Sequence, residues 1–297
     1  MTEALSDNLP QVGIGILGGT GLYKIEGIQL RDEVKIDTPF GEPSDSFFIG
    51  EYAGTRIAFL SRHGRGHRLL PAEINYQANI YAFKMLGAGH VISINSVGSL
   101  KEEIPPRDVV IPDQFFDRTR RKNSFFGQGV AAHVSMAEPI CASLAGTLCR
   151  AGEKLGLRIH PRGTYICIEG PAFSTRAESH IYRSWGCDVI GMTSATEAKL
   201  CREAEICYAA INLVTDYDCW RESEEPVSME MIMGNVAANV SSAKALLKEV
   251  IPQLSGPAGE ACACGSALAG CIITSPDVIP QETREKLRHI LEKYPGQ

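Results

Sequence analysis

Four short segments carry side chains suited to a binding or catalytic site. Gly18-Gly19-Thr20-Gly21 follows the apolar, β-branched run Val12 to Leu17. Glycines there let backbone N–H groups converge on an anion, and Thr20 adds a hydroxyl donor. Arg62-His63-Gly64-Arg65 follows a strand-like run ending at Leu60, and the planar fork of Arg62 matches phosphate. Taken singly, the first is an ordinary turn after a strand and the second a loop of solvated basic residues. Together with Thr193 they make a coherent phosphate cradle. Glu169-Gly170-Pro171-Ala172-Phe173-Ser174 places a phenylalanine on a Gly/Pro loop, where it stacks on a flat base or simply joins the core. Asp216-Tyr217-Asp218 lies just past a run ending at Val214. That is where α/β sites form, although acids are also common turn formers.

Several other chemistries are disfavoured. Gly13-x-Gly15-x-x-Gly18 matches a dinucleotide fingerprint by letter, but its first glycines fall inside a strand and no helix opens after it. His63 and His67 are four apart without an intervening Glu or a helical pattern, so the zinc-protease arrangement is absent. Most of the ten cysteines, Cys167 and Cys187 among them, sit singly in apolar stretches as small hydrophobes. Cys262, Cys264 and Cys271 cluster near the end. No matching pair follows at zinc-finger spacing, so no metal is expected, and a disulfide within or from this cluster is the better reading.

The elements that position these residues alternate. Strand-like runs fall at Val12–Leu17, Ser46–Gly50, Arg56–Leu60, His90–Asn95, Asp108–Ile111, Thr164–Ile168, Cys187–Gly191 and Tyr208–Val214, and the segment from Ile25 to Gly50 reads as strands and turns. Helical periodicity marks Glu138–Gly156 and Asn235–Ile251, with shorter candidates at Gln77–Leu86 and Glu197–Glu205. The pattern predicts an α/β fold with a central sheet flanked by helices. One domain over residues 10–252 is followed by a Gly/Ala/Pro-rich stretch. An extension over 253–297, with a final helix at Gln281–Tyr294, packs on the same domain.

With 297 residues, 44% hydrophobic and 22% charged, the chain supports a sizeable core. A net charge of −6 disfavours nucleic acid as a partner. No apolar run is long enough for a membrane span, and Met1 to Pro10 lacks signal-peptide features, so the expected location is the cytoplasm.

The blocks GGTGL, SRHGRGH, NYQANIYA, SVGSL, MAEP, IEGPAFSTRAE, GMT and TDYDCW occur in the order found in methylthioadenosine phosphorylases. The chain resembles that branch of the trimeric purine nucleoside phosphorylases from about Val12 to Pro252. The resemblance implies phosphorolysis of S-methyl-5'-thioadenosine to adenine and 5-methylthioribose 1-phosphate. It also implies a homotrimer or a hexamer of two trimers, with phosphate as cosubstrate and no cofactor. Thr20, Arg62, His63, Ser96 and Thr193 would hold phosphate, with Asn95 beside it. Met192 would lie against the ribose and Phe173 on the base, with Tyr217 among the substrate contacts. Asp216 and Asp218 would face the imidazole edge and exocyclic amine of adenine, Asp216 acting as the proton donor at N7. Met229, Ile232 and Met233 would form an apolar slot for the 5'-substituent, and His133 would reach a neighbour's slot across the trimer interface.

Base choice is read from Ser174 and Asp216. Relatives that cleave guanosine and inosine carry Glu after the stacking Phe and Asn at the purine edge. A carboxylate accepts from a 6-amino group and repels a 6-oxo group. The departures from the family's pattern are Asn95 where some relatives have Thr, Ser96 where Ala is common, and Ser194-Ala195-Thr196 where a Pro-containing run is usual. The competing readings are a 6-oxopurine phosphorylase (methylthioinosine, inosine or guanosine) and a non-catalytic nucleoside-binding protein on the same fold.

Overall fold

The computed structural model describes residues 9–19, 27–221, 229–254 and 262–296. In chain order these form β1 (Ile14–Gly18), β2 (Gln29–Val34), β3 (Phe47–Tyr52), β4 (Thr55–Ser61), α1 (Tyr76–Met85), β5 (His90–Ser99), β6 (Val109–Val110), β7 (Gln114–Asp117) and α2 (Ala142–Lys154). They continue with β8 (Ile159–His160), β9 (Thr164–Cys167), α3 (Arg176–Ser184), β10 (Val189–Gly191), α4 (Ser194–Glu203), β11 (Cys207–Asp216), α5 (Met229–Val250), α6 (Gln281–Lys286) and α7 (Arg288–Leu291). All eight predicted strand runs and all four internal helical stretches appear, with ends shifted by a few residues. The single helix predicted over Gln281–Tyr294 is broken at Leu287, whose φ of −102° leaves the helical range.

One mixed sheet runs in the order β2-β3-β4-β1-β5-β10-β9-β7, while β11 pairs with β5 on its other edge and β6 and β8 extend from β11. Helices α1 and α4 pack together, and α2, α4 and α5 all pack on β11. Every residue of β11 is buried. That explains why CYAAINLVTD reads as a nearly continuous apolar run rather than an alternating one.

The placement of β5 opens the site. Its first residues, His90 to Ser93, pair in parallel with β1, while its last two, Gly98 and Ser99, pair antiparallel with β10. Between them, Ile94 to Val97 have no ladder partner on that edge among the described residues. The other edge stays paired with β11 as far as Gly98. This is a topological switch point, the place where α/β sheets present a crevice.

The tail docks on the body of the fold. Tyr81 on α1 donates to the Lys286 carbonyl at 2.8 Å, and Thr283 donates to the Gln128 carbonyl at 2.7 Å. No helix of the described residues is long and apolar enough to cross a membrane.

Candidate active site

A cavity of about 320 Å³ opens at the gap in the sheet, where Asn95, Ser96, Val97 and Gly98 form one wall. That volume is within the usual range for a small-molecule site, roughly 300–1,000 Å³. One end of the cavity is basic and hydroxylated. Arg62, His63, Asn95, Ser96 and Thr193 all line it.

Arg62 is buried and already heavily committed. Its Nε and Nη2 bond Glu197, Nη2 also donates to Ser93 Oγ at 2.6 Å and the Leu17 carbonyl at 3.2 Å, and Nη1 donates to the Ile94 carbonyl at 3.0 Å. Of the guanidinium's N–H hydrogens, at most one on Nη1 is left for a ligand among the described residues. The free planar fork expected from the sequence is therefore turned inward, and Arg62 offers the cavity a charge and a single donor. Burial opposes its charge, and Glu197 holds the guanidinium protonated. The Ile94 carbonyl that Arg62 satisfies belongs to the unpaired stretch of β5, so the same side chain closes the gap in the ladder and charges the crevice.

His63 donates or accepts at Nδ1 with the Leu69 carbonyl at 2.8 Å; a carbonyl only accepts, so Nδ1 carries the hydrogen. Burial and the adjacent Arg62 push its pKa down to about 4, so the ring is neutral near pH 7. It stacks on His67, with ring centroids 4.2 Å apart. Thr193 is the N-cap of α4 but makes no side-chain cap bond. Its hydroxyl instead donates to Asn95 Oδ1 at 3.2 Å, and Asn95 Nδ2 donates to Asn212 Oδ1 at 3.0 Å. Thr193, at the start of α4, is thus tied to the cavity wall through Asn95.

The opposite end carries the two acids. The β5–β11 register shifts between Val214 and Asp216, and such a bulge re-aims the side chain that follows it. Asp216 is buried. Its Oδ2 accepts from Thr215 Oγ1 at 2.6 Å, and its Oδ1 accepts from the Asp218 backbone N–H at 2.7 Å. Asp218 adopts φ +53°, and burial together with the charge of Asp216 raises its pKa. Both acids lie against Gly98, where a Cβ would sit 3.0 Å from Asp216 Oδ1 and 3.0 Å from Ile190 Cγ2. A side chain there would make these neighbours give way by a few tenths of an ångström.

Phe173 and Met192 complete the walls. Phe173 is 53% exposed, so it is not the core residue that the alternative reading supposed. Met192 is held by Arg121, which bonds the Met192 carbonyl, the Glu169 carbonyl at 2.6 Å and the Glu169 carboxylate at 2.9 Å. A Cβ on Gly170, whose φ is +67°, would strike Met192 Sδ at 2.5 Å.

A phosphorylase superfamily model matches residues 13–252. The chain belongs to the phosphorylase superfamily. Among its curated relatives, the S-methyl-5'-thioadenosine phosphorylase of Gloeobacter violaceus is 54% identical over 97% of each chain, and that of Koribacter versatilis is 50% identical over 97% of this chain and 98% of its own. A solved methylthioadenosine phosphorylase sourced from an antarctic soil metagenomic library superposes with a TM-score of 0.90 at 44% identity, covering 95% of this chain and 99% of that one. The methylthioadenosine phosphorylase from Schistosoma mansoni in complex with adenine gives 0.81 at 33% identity over 88% and 97%.

Within this phosphorylase fold, the sequence-derived residues that meet in one cavity are Arg62, His63, Asn95, Ser96, Phe173, Ser174, Met192, Thr193, Asp216 and Asp218. Tyr217 is a correction. It is 8% exposed, packs edge-on to Trp220 at 5.7 Å and does not line the cavity. Alternation along the chain turns it into the core while its acidic neighbours face the cavity. His133 is exposed, away from its own chain's cavity, its N–H donating to the Cys271 carbonyl at 3.0 Å. Thr20 lies outside the described residues, as do the side chains of Met229, Ile232 and Met233, which fall on the first turns of α5.

Two positioning residues escaped the sequence reading. Glu197 is fully buried and bonds Arg62, Ser93 and Tyr208. Its signal is an acid in the middle of the otherwise small, apolar first turns of α4. Arg121 has no local pattern to betray it. The disulfide expected at Cys262, Cys264 and Cys271 is not formed; all ten cysteines are free thiols.

Proposed function

We propose that the chain catalyses phosphorolysis of S-methyl-5'-thioadenosine, releasing adenine and 5-methylthioribose 1-phosphate. The observation that carries this reading is one cavity lined at one end by Arg62, His63 and Thr193 and at the other by the paired carboxyls of Asp216 and Asp218. Its span suits a nucleoside with phosphate beneath the sugar. The reaction is substitution at C1' through a cation-like ribose. Phosphate, held by the Arg62 charge, Thr193 and the neighbouring polar side chains, stabilises that cation and then bonds C1'. The leaving adenine gathers negative charge, which a proton at N7 neutralises. Asp216 faces N7 and Asp218 the exocyclic amine. Burial and the Asp216 charge raise the Asp218 pKa, and the proton that the reaction delivers to N7 is assigned to Asp216. Phosphate is the cosubstrate, and a substitution of this kind involves no redox step that would call for an organic cofactor.

The base choice follows from the same pair, because a 6-amino group donates to a carboxylate that a 6-oxo group cannot approach favourably. The family resemblance assigns Met229, Ile232 and Met233 to an apolar slot for the methylthio group and His133 of a neighbouring protomer in a trimer to its completion. A hexamer of two trimers is compatible with that arrangement.

The test measures free adenine from S-methyl-5'-thioadenosine with and without phosphate, beside methylthioinosine and inosine. Release only with phosphate, and little reaction of the 6-oxopurines, is the expected result. Release without phosphate means a hydrolase. A preference for 6-oxopurines overturns the role given to Asp216 and Ser174. Asp216→Asn is expected to lower turnover of the adenine nucleoside by roughly 10²–10⁴-fold, the range for loss of a general acid.

A further inference from the structure

Cys141, Cys207, Cys262 and Cys264 place their four sulfurs within 4.8 Å of one another. They come from three separate parts of the chain. Cys141 is the N-cap of α2, Cys207 opens β11, and Cys262 and Cys264 flank one residue at the start of a short 3-10 turn in the tail. The main chain sets the first two side by side, since the Cys141 N–H donates to the Tyr208 carbonyl at 2.9 Å. Cys262 is extended and the chain then tightens into the turn, which carries both tail sulfurs onto the same point. Cys262 Sγ lies 3.1 Å from Cys207 Sγ and 3.9 Å from Cys141 Sγ.

That geometry is close to a tetrahedral thiolate cage. With zinc–sulfur bonds of about 2.3 Å, the sulfurs of such a cage lie roughly 3.8 Å apart. Three of the four residues are buried and none is exposed, so the cage is closed in the manner of a structural site. A second observation comes from His90, the strand partner of Cys207 in the β5–β11 ladder. Its Nδ1 is buried without a hydrogen-bond partner among the described residues. A tetrathiolate around a divalent ion carries excess negative charge, and an N–H beside a ligating sulfur is the kind of group that stabilises it.

We propose that these four cysteines bind a structural zinc ion, which clamps the 262–296 tail to the starts of β11 and α2. The site is remote from the reaction: β11 begins at Cys207 and ends at Asp216, about 30 Å apart at the usual rise per strand residue. Binding exchanges four S–H bonds for four Zn–S bonds and releases up to four protons, with no change in oxidation state. The tail's other anchors make the clamp useful. Leu268 N–H donates to the Glu205 carboxylate at 3.0 Å, and Ile272 bridges Ala132, so fixing the Cys262–Cys264 turn fixes the origin of the docked segment.

The experiment is metal analysis of the full chain, purified with thiols kept reduced from zinc-containing medium, paired with cobalt substitution of the same protein. About one zinc per chain is expected, as for a four-ligand site. Cobalt should give the intense sulfur-to-metal bands and the visible bands of a tetrahedral thiolate centre. Cys262→Ser and Cys264→Ser should each lower the zinc retained through gel filtration by roughly tenfold or more, whereas Cys149→Ser, on α2 outside the cluster, should keep it. The wild-type measurements decide the matter even if a ligand variant fails to fold. Reduced protein that takes up neither zinc nor cobalt overturns the proposal. So does freshly isolated chain whose four cysteines resist alkylation until a reductant is added, which would show two disulfides, or iron in place of zinc from medium containing both.

Discussion

His63 sets the terms on which the anion end of the cavity works. With Nδ1–H given to the Leu69 carbonyl and a pKa near 4, Nε2 remains a lone pair at neutral pH. In the proposed reaction the ring is assigned as acceptor of a hydrogen bond from phosphate's own hydroxyl, and it adds no positive charge; the charge at that end comes from Arg62. His63 ring signals followed by NMR in the ligand-free chain should stay constant from about pH 5 to 8, the interval in which an ordinary histidine titrates, and move only near 4. A midpoint above 6 would contradict the buried, Arg62-facing environment. Gly98 makes a second residue-scale case. Gly98→Ala forces a methyl group against Asp216 Oδ1 and Ile190, and displacing the acid pair should lower kcat/KM by about 10²-fold while leaving the circular-dichroism spectrum unchanged. Wild-type kinetics in that variant would mean that the carboxyl pair does not need its present position.

Helix α4 shows how far the sequence could be read at the level of elements. Its existence was legible from Glu197–Glu205, and so were the strands whose ends supply Arg62, Asn95 and Asp216. Hydrophobic runs bounded by turn residues survive into the fold because burial of both faces demands them. What was not legible is pairing. Nothing local says that β5 outlasts β1, leaving Ile94 to Val97 open, nor that Arg62 spends its fork on Glu197, 135 residues away. The two-residue strand β8 and the short β7 left no signal that was read, whereas β6 was legible as the centre of the run Asp108–Ile111. Helix α3 did leave one, since Thr175 and Glu178 form a reciprocal capping box of the kind readable three residues apart. At its far end α4 holds Glu203, whose carboxylate accepts from the Phe125 N–H at 2.7 Å and whose pKa burial raises to about 7 from 4.5. Between those values the folded chain keeps a proton that the unfolded chain has released, so stability falls as pH rises from about 4.5 to 7 and is level above. The loss is at most about 3 kcal/mol. Glu203→Gln keeps the acceptor and removes the ionisation. Denaturant titrations should find it equal to wild type near pH 4.5 and more stable above pH 7; no difference at pH 8 would mean that Glu203 titrates normally.

The cavity gathers groups from loops and strand ends running from Arg62 to Asp218, so a ligand bound there holds together most of the central sheet. A compound that binds only the native chain adds RT ln(1 + [L]/Kd) to its stability, about 2.7 kcal/mol at a hundredfold excess over Kd. In a chain of this size that should raise the melting temperature by several degrees. Phosphate and adenine occupy opposite ends in the proposed reaction, so each should raise the melting temperature alone and both should raise it further. Any coupling between them must be reciprocal, each tightening the other's binding by the same factor. The two ends are separable by mutation. Asp218→Asn should shrink the adenine-induced shift and leave the phosphate-induced shift intact, because it alters only the carboxyl end. His63→Ala should do the reverse. Hypoxanthine, with an acceptor where adenine has a donor, should give a smaller shift than adenine in the wild type and lose that disadvantage in Asp218→Asn, whose amide can donate. If phosphate and adenine each abolished the other's shift, the two ligands would compete for one subsite, and a nucleoside spanning the cavity between them would be the wrong substrate.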